Sequence, residues 1–296
     1  MDVCQAFESF ILSRKLGGLS EKSLYCYRSF LTPFVQMYAD LPVISLCDDN
    51  IASYISGIID RDVSKTTKAT YIRHLKVFVR WLEDNYNIGL NVKGIRVPKV
   101  TKKVLRIYND KEIRQIMQSV VPDGGWLALR NRLVIALMLD SGLRQNEVCS
   151  LYLSDIQVTD KLIRVHGKGD KERFVPLGCL TQKYYLEYLE VRPYDREYLF
   201  VSRNGKQLTC DAVKHMVYQI SRKLPFEFSS HKLRHNFATN YCIDMYEDNG
   251  QIDIYRLMVL MGHEDIQTTR RYLHFAEQVL ASRGRISHLD KVYRAC

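Results

Sequence analysis

No stretch of this 296-residue chain approaches the roughly 20 apolar residues that a membrane-spanning helix needs. The first 15 residues include Asp2, Glu8, Arg14 and Lys15, with no apolar run shaped like a signal peptide. The cytoplasm is the expected compartment. The eight cysteines, at positions 4, 26, 47, 149, 179, 210, 242 and 296, are scattered and form no CxxC pair. They read as buried thiols in a reducing environment. There is no internal repeat and no low-complexity segment. Acidic residues are in short supply, 33 against 43 Lys and Arg, which leaves a net charge of +10. Such an excess suits a polyanion, because Lys and Arg neutralise phosphates and release counterions. Nucleic acid is the leading partner; a solubilising surface or one facing anionic lipid also fits composition alone.

What is present divides the chain. Residues 1–96 read as helices only, residues 97–107 as a basic linker, and residues 108–296 as a mixed helix and strand domain. In the first part Leu24, Tyr27, Leu31 and Phe34 recur at helical spacing, as do Ile72, Leu75, Val79 and Leu82 further on. Beside the second stripe run Arg73, Lys76 and Arg80, with Lys65 and Lys68 one to two turns earlier. They read as phosphate contacts or as an ordinary solvated face. Residues 1–97 hold 12 Lys and Arg against 10 Asp and Glu, so any DNA contact there comes from a local patch. The segment from Arg96 to Arg106 has five basic residues, including Lys99, Lys102 and Lys103, no acidic one, and Pro98 to resist helix. An extended strap along a duplex backbone fits it. Beyond it, a three-stranded antiparallel meander is expected at 156–158, 162–165 and 172–175, and helix from Thr209 almost to the end. The fold class is mainly α: an all-helical domain and an α+β domain with a small sheet.

Four islands in the second domain carry residues suited to a phosphodiester. In Ser141-Gly142-Leu143-Arg144-Gln145-Asn146-Glu147, a glycine helix stop precedes Arg and Glu at i, i+3 on one face of a new helix, where Glu147 can hold the guanidinium. In His166-Gly167-Lys168-Gly169-Asp170, glycines on both sides place Lys168 at a hairpin tip. In Ser230-His231-Lys232-Leu233-Arg234-His235, a serine-capped helix start puts His231 and Arg234 one turn apart, where unpaired N–H groups favour an anion. His231 and His235 at i, i+4 also suggest zinc, but the Glu of an HExxH motif is missing, and no metal is expected. The fourth island runs from Leu260 through Gly262-His263 to Tyr272. One tyrosine among 19 is structural by default, and Tyr272 is singled out only by its company.

Taken together, GLRQNE, GKGDKERFVPLG, HKLRHNFAT and LMGHEDIQTTRRYLHF resemble the motif boxes of the tyrosine recombinase (phage integrase) family, in the family's order. The resemblance covers most of the chain and implies a simple two-domain, Xer-like member whose helical first domain clamps DNA. It implies that Tyr272 attacks a scissile phosphate to give a 3′-phosphotyrosine and a free 5′-hydroxyl. Arg144 and Arg234 hold the non-bridging oxygens, His263 adds a hydrogen bond, and Lys168 protonates the leaving group. His231 takes the tyrosine proton, and Glu147 matches the acidic position of the first box. No cofactor and no ATP are implied. The partners are double-stranded DNA with a specific site and, on DNA, three further copies in a ring that exchange the C-terminal tail beyond about Glu277.

Two departures bear on the sub-family. Gln145-Asn146 stands where close bacterial members carry a β-branched residue and serine, and the loop at 246–251 is longer than in the simplest members. Both bear on which Xer-like branch the chain resembles and leave a mobile-element and a chromosomal origin open. The extra arm-binding domain of lambda-like integrases is not expected before residue 20. The alternatives are a type IB topoisomerase relaxing supercoils, and a DNA-binding regulator that has lost catalysis.

Overall fold

The computed structural model describes residues 1–100, 107–120, 125–167 and 171–282. The chain forms two compact units, Met1–Lys103 and Val104–Cys296. Among its described residues the first unit has four α-helices: α1 (Val3–Leu16), α2 (Glu21–Met37), α3 (Asp48–Asp60) and α4 (Lys65–Tyr86). Side-chain oxygens of Asp2, Ser20 and Ser64 cap α1, α2 and α4 by accepting from the third backbone N–H of each helix. The apolar stripes found in the sequence become its core. Ile72, Leu75, Val79 and Leu82 are wholly buried, alongside Phe10, Leu31 and Phe34. Phe7, Phe10, Phe34 and Phe78 meet at ring-centroid distances of 5.2–6.3 Å.

The second unit opens with α5 (Asp110–Ser119), whose Asn109–Glu112 capping box is present. Then come α6 (Trp126–Asp140), the short α7 (Gln145–Ser150) and a meander of β1 (Ile156–Gln157), β2 (Leu162–His166) and β3 (Glu172–Pro176). The strands are antiparallel in the order β1-β2-β3, and Val165 pairs with Arg173. Outside the sheet, single bridges join Tyr152 to Tyr198 and Val201 to Gln207. The unit ends in α8 (Cys179–Val191), α9 (Cys210–Ser221), α10 (Ser230–Asn249), α11 (Ile254–Met261) and α12 (Ile266–Ser282).

Two packing regions position the chemistry. Helix α6 is buried almost all round and anchors the main core against the sheet and α8. A smaller cluster of Phe237, Ala238, Cys242, Leu257, Met261 and Ala276 joins α10, α11 and α12 and encloses Tyr272. Among the described residues no helix is long and apolar enough to cross a membrane.

Candidate active site

Two helix ends supply the carbonyl groups that aim the arginines. Helix α6 ends at Gly142, whose φ of +63° places it in the left-handed region, and a Cβ there would lie 2.2 Å from the Phe237 ring. Only glycine meets both demands. Helix α11 ends in the same manner at Gly262, with φ +56°. Arg234, the fifth residue of α10, donates Nη1 to the Gly142 carbonyl and Nη2 to the Met261 carbonyl. Arg144 donates Nη2 to the Gly262 carbonyl at 2.9 Å. These fixed acceptors hold both guanidiniums while leaving further N–H groups for a ligand.

Under the two arginines lies one carboxylate. Glu147, 5% exposed, accepts from the Arg144 backbone N–H at 2.7 Å and from Arg144 Nη1 at 2.8 Å. Arg144 is therefore the N-cap of α7, not a residue of its first turn as the i, i+3 spacing suggests. Arg173, from β3, grips the same carboxylate with two parallel bonds of 2.9 Å, and its Nε donates to the Leu260 carbonyl. Burial alone would raise the Glu147 pKa, but Arg173 and then Arg144 outweigh it and hold it at about 2. Burial is also what brings Arg234 down to about 10, with Arg144 beside it adding to the fall; it stays charged at pH 7.

Tyr272, on the second turn of α12, is 1% exposed. Its hydroxyl lies 2.7 Å from His235 Nδ1 and accepts from Arg271 Nη2 at 3.0 Å, and the Arg271 guanidinium sits 4.9 Å from its ring centre. The His263 ring stacks on it at 6.2 Å and 11°. His263 Nε2 is 3.4 Å from Arg234 Nη2, which can only donate, so the proton sits on Nδ1 and points to the Thr269 hydroxyl at 2.9 Å. Burial, reinforced by nearby arginines, pushes both His263 and His235 down to about 4, so both are neutral at pH 7. A cavity of about 380 Å³ is walled by Arg144, His231, Arg234, His235, His263, Arg271 and Tyr272. It presents three guanidiniums and no carboxylate, the setting for an anion of phosphate size.

Five of the residues expected from sequence thus share one wall: Arg144, His231, Arg234, His263 and Tyr272. Lys168 lies outside the described residues; its neighbour Lys171 reaches Glu264 at 3.6 Å, in solvent. His231 is exposed, and its ring lies 5.8 Å from that of His235, which is the histidine at the tyrosine hydroxyl. Among the described residues no three His, Cys, Asp or Glu side chains gather as a metal site requires. Of the first-unit residues, Lys65, Arg73 and Arg80 are exposed on α4, and Lys99 is exposed beyond it. Lys68 and Lys76 instead donate to the carbonyls of Ile59 and Ile95, each at 2.6 Å. Lys102 and Lys103 lie outside the described residues. Sequence reasoning missed Arg173, His235 and Arg271. Arg173 left a signal, since strand alternation puts it on the face of buried Val175, where a charge needs a partner.

Two family models match the chain: the phage integrase family over residues 106–278, and a phage integrase N-terminal SAM-like domain over residues 7–87. The tyrosine recombinase XerC of Staphylococcus carnosus is 27% identical over 283 residues, covering 92% of this chain and 93% of its own. That of Lactobacillus leichmannii is 30% identical over 233 residues, covering 75% and 77%. Among solved structures, a XerH recombinase bound to its difH substrate after cleavage superposes with a TM-score of 0.72 at 24% identity, over 88% of this chain and 78% of that one. A lambda integrase dimer on a core site gives 0.72 at 20% identity, over 92% of this chain and 95% of that one. The chain belongs to the phage integrase family and is a tyrosine recombinase of the Xer-like type.

Proposed function

We propose that this site-specific DNA recombinase cuts and rejoins DNA through Tyr272. One observation carries the reading: the Tyr272 hydroxyl is held at a cavity walled by Arg144, Arg234 and Arg271, next to two neutral histidines. A scissile phosphate fits there. The Tyr272 oxygen bonds to phosphorus, the bond to the 5′-oxygen breaks, and the strand is left as a 3′-phosphotyrosine with a free 5′-hydroxyl. Arg144 and Arg234 donate to the non-bridging oxygens and stabilise the charge that builds in the pentavalent transition state. His263 faces the same oxygens. His231, exposed on the cavity wall, is a second donor to them. Lys168 gives the leaving 5′-oxygen its proton. A 5′-hydroxyl from the partner duplex attacks the phosphotyrosine in the reverse sense and restores Tyr272, so bond energy is conserved through a Holliday junction and no cofactor enters.

The partner is double-stranded DNA bearing a specific site, in integration, excision or resolution, in the cytoplasm. Residues 1–96 act as the DNA-clamping domain through Lys65, Arg73 and Arg80, and the linker 97–107 lies along the backbone through Lys99, Lys102 and Lys103. Lys68 and Lys76 shape that surface by holding chain turns. Four copies work as a ring on paired sites, each lending the tail beyond Glu277 to the next, because a head-to-tail contact closes when the DNA sets the rotation. The test is covalent attachment to a nicked duplex that traps the intermediate. Tyr272→Phe should abolish attachment while binding stays within a few-fold, since affinity comes from many phosphate contacts. Continued attachment by that variant would move the nucleophile to another residue.

A further inference from the structure

We propose that His235 is the base that receives the Tyr272 proton. The inference rests on the reading of Tyr272 as nucleophile and deepens it. The hydrogen-bond roles follow from the donors available. An arginine can only donate, so the Tyr272 oxygen accepts from Arg271 Nη2 at 3.0 Å. The phenol's own hydrogen is then directed at His235 Nδ1, 2.7 Å away, with the imidazole proton on Nε2. Among the described residues no other acceptor lies within hydrogen-bond distance of that hydroxyl. His231, one turn earlier on α10, stacks on His235 with ring centres 5.8 Å apart but forms no hydrogen bond with the hydroxyl.

The surroundings tune the pair. The groups facing His235 are Arg271, His231, Arg234 and Tyr272 itself. Burial first, and then Arg271, with His231 and Arg234 adding to the fall, bring the imidazole down to about 4, so the accepting lone pair is free at pH 7. A phosphate entering the cavity offsets those charges and raises the basicity of His235 toward the range a base needs. Arg271, bonded to the phenol oxygen, stabilises the charge that remains there as the proton leaves. In the forward step the proton passes from Tyr272 Oη to His235 Nδ1 as Oη bonds to phosphorus and the bond to the 5′-oxygen breaks. In the reverse step the imidazolium returns it. His231 is left to donate to the phosphate.

The experiment uses the full-length chain and a nicked duplex carrying the sequence that the protein itself enriches from a random pool. His235→Asn places an amide oxygen near the Nδ1 position, keeping an acceptor while removing basicity. It should slow covalent attachment about 10²–10⁴-fold with DNA affinity within a few-fold. Replacing Tyr272 by a trifluorotyrosine, a more acidic phenol, should shrink the His235→Asn defect by at least about tenfold, because less proton transfer is then required. The same replacement should leave a His231→Asn defect unchanged. A wild-type rate for His235→Asn, an equal defect with both phenols, or relief confined to His231→Asn overturns the proposal. One measurement needs no variant of His235. On a duplex whose 5′-bridging oxygen is sulfur, the leaving group needs no proton, and attachment should still be slower in D2O than in water. Equal rates there also overturn it. Tyr272→Phe run in parallel separates the two readings: attachment by that variant means the nucleophile is misassigned, whereas an inert Tyr272→Phe beside a fully active His235→Asn sinks the base alone.

Discussion

Glu147→Gln removes one negative charge from under three guanidiniums, and its effect can be worked out. The carboxylate falls from the ordinary 4.5 to about 2, equivalent to about 3 kcal/mol of favourable interaction with its surroundings. The side chain is 6% exposed and that of Arg173 is 8% exposed, so solvent screens the pair little. Gln cannot accept both parallel Arg173 bonds, and one buried guanidinium then lacks its counter-charge. Breaking a buried pair from one side costs about 3–5 kcal/mol. For a unit of this size that corresponds to a fall of roughly 6–20 °C in the melting of the second unit at pH 7. The pH dependence gives the sharper test. The folded-state pKa of Glu147 is depressed, so its contribution is complete above the unfolded value of 4.5 and is lost as pH falls through about 2. The gap between wild type and Glu147→Gln should therefore narrow by about 1 kcal/mol at pH 4. His235 and His263, also depressed, destabilise both proteins equally as pH falls from 6.5 towards 4. Calorimetry at pH 7, 5 and 4 measures this. A loss below about 3 °C at pH 7, or a gap unchanged at pH 4, refutes the reasoning.

Gly142→Ala combines a left-handed backbone with a 2.2 Å clash against Phe237, so it should destabilise by roughly 2–5 kcal/mol and shift the carbonyl that holds Arg234; denaturant unfolding checks it. Arg73→Ala or Arg80→Ala should each reduce the slope of log affinity against log salt by about 1, while Lys76→Ala leaves the slope alone and lowers the stability of the first unit, because its amine is tied to the Ile95 carbonyl. Lys168→Ala should cleave slowly on ordinary DNA and recover on a duplex with sulfur at the 5′-bridging position, where the leaving thiolate needs no acid; single-turnover rates on the two substrates decide this.

The periodic parts of the chain were the most legible. The stripe Ile72, Leu75, Val79 and Leu82 is buried as its spacing requires, and the three strands appear within a residue or two of their expected places. Arg144, His231, Arg234, His263 and Tyr272, which line the cavity, could be named from sequence because the motif boxes carry them, whereas His235 and Arg271 could not. The contacts among them could not be read either. Arg144 meets Gly262 across 118 positions and Arg234 meets Gly142 across 92, separations that only tertiary packing closes. The roles of neighbours were hidden for the same reason: His231 and His235 share a helix face, and the packing of α12 on α10 brings His235 to the phenol. Lys68 and Lys76 look identical in sequence to Arg73 and Arg80, yet carbonyls exposed at nearby chain turns claim their amines.

The central claim is that the bond to DNA is made by one particular oxygen. Trapping the intermediate on a nicked duplex, digesting protein and DNA, and sequencing the nucleotide-bearing peptide by mass spectrometry tests it directly. The account predicts a phosphonucleotide on Tyr272, within the segment Tyr-Leu-His-Phe-Ala-Glu that follows Arg271. A phosphonucleotide on Tyr241, Tyr293 or any other residue would contradict it.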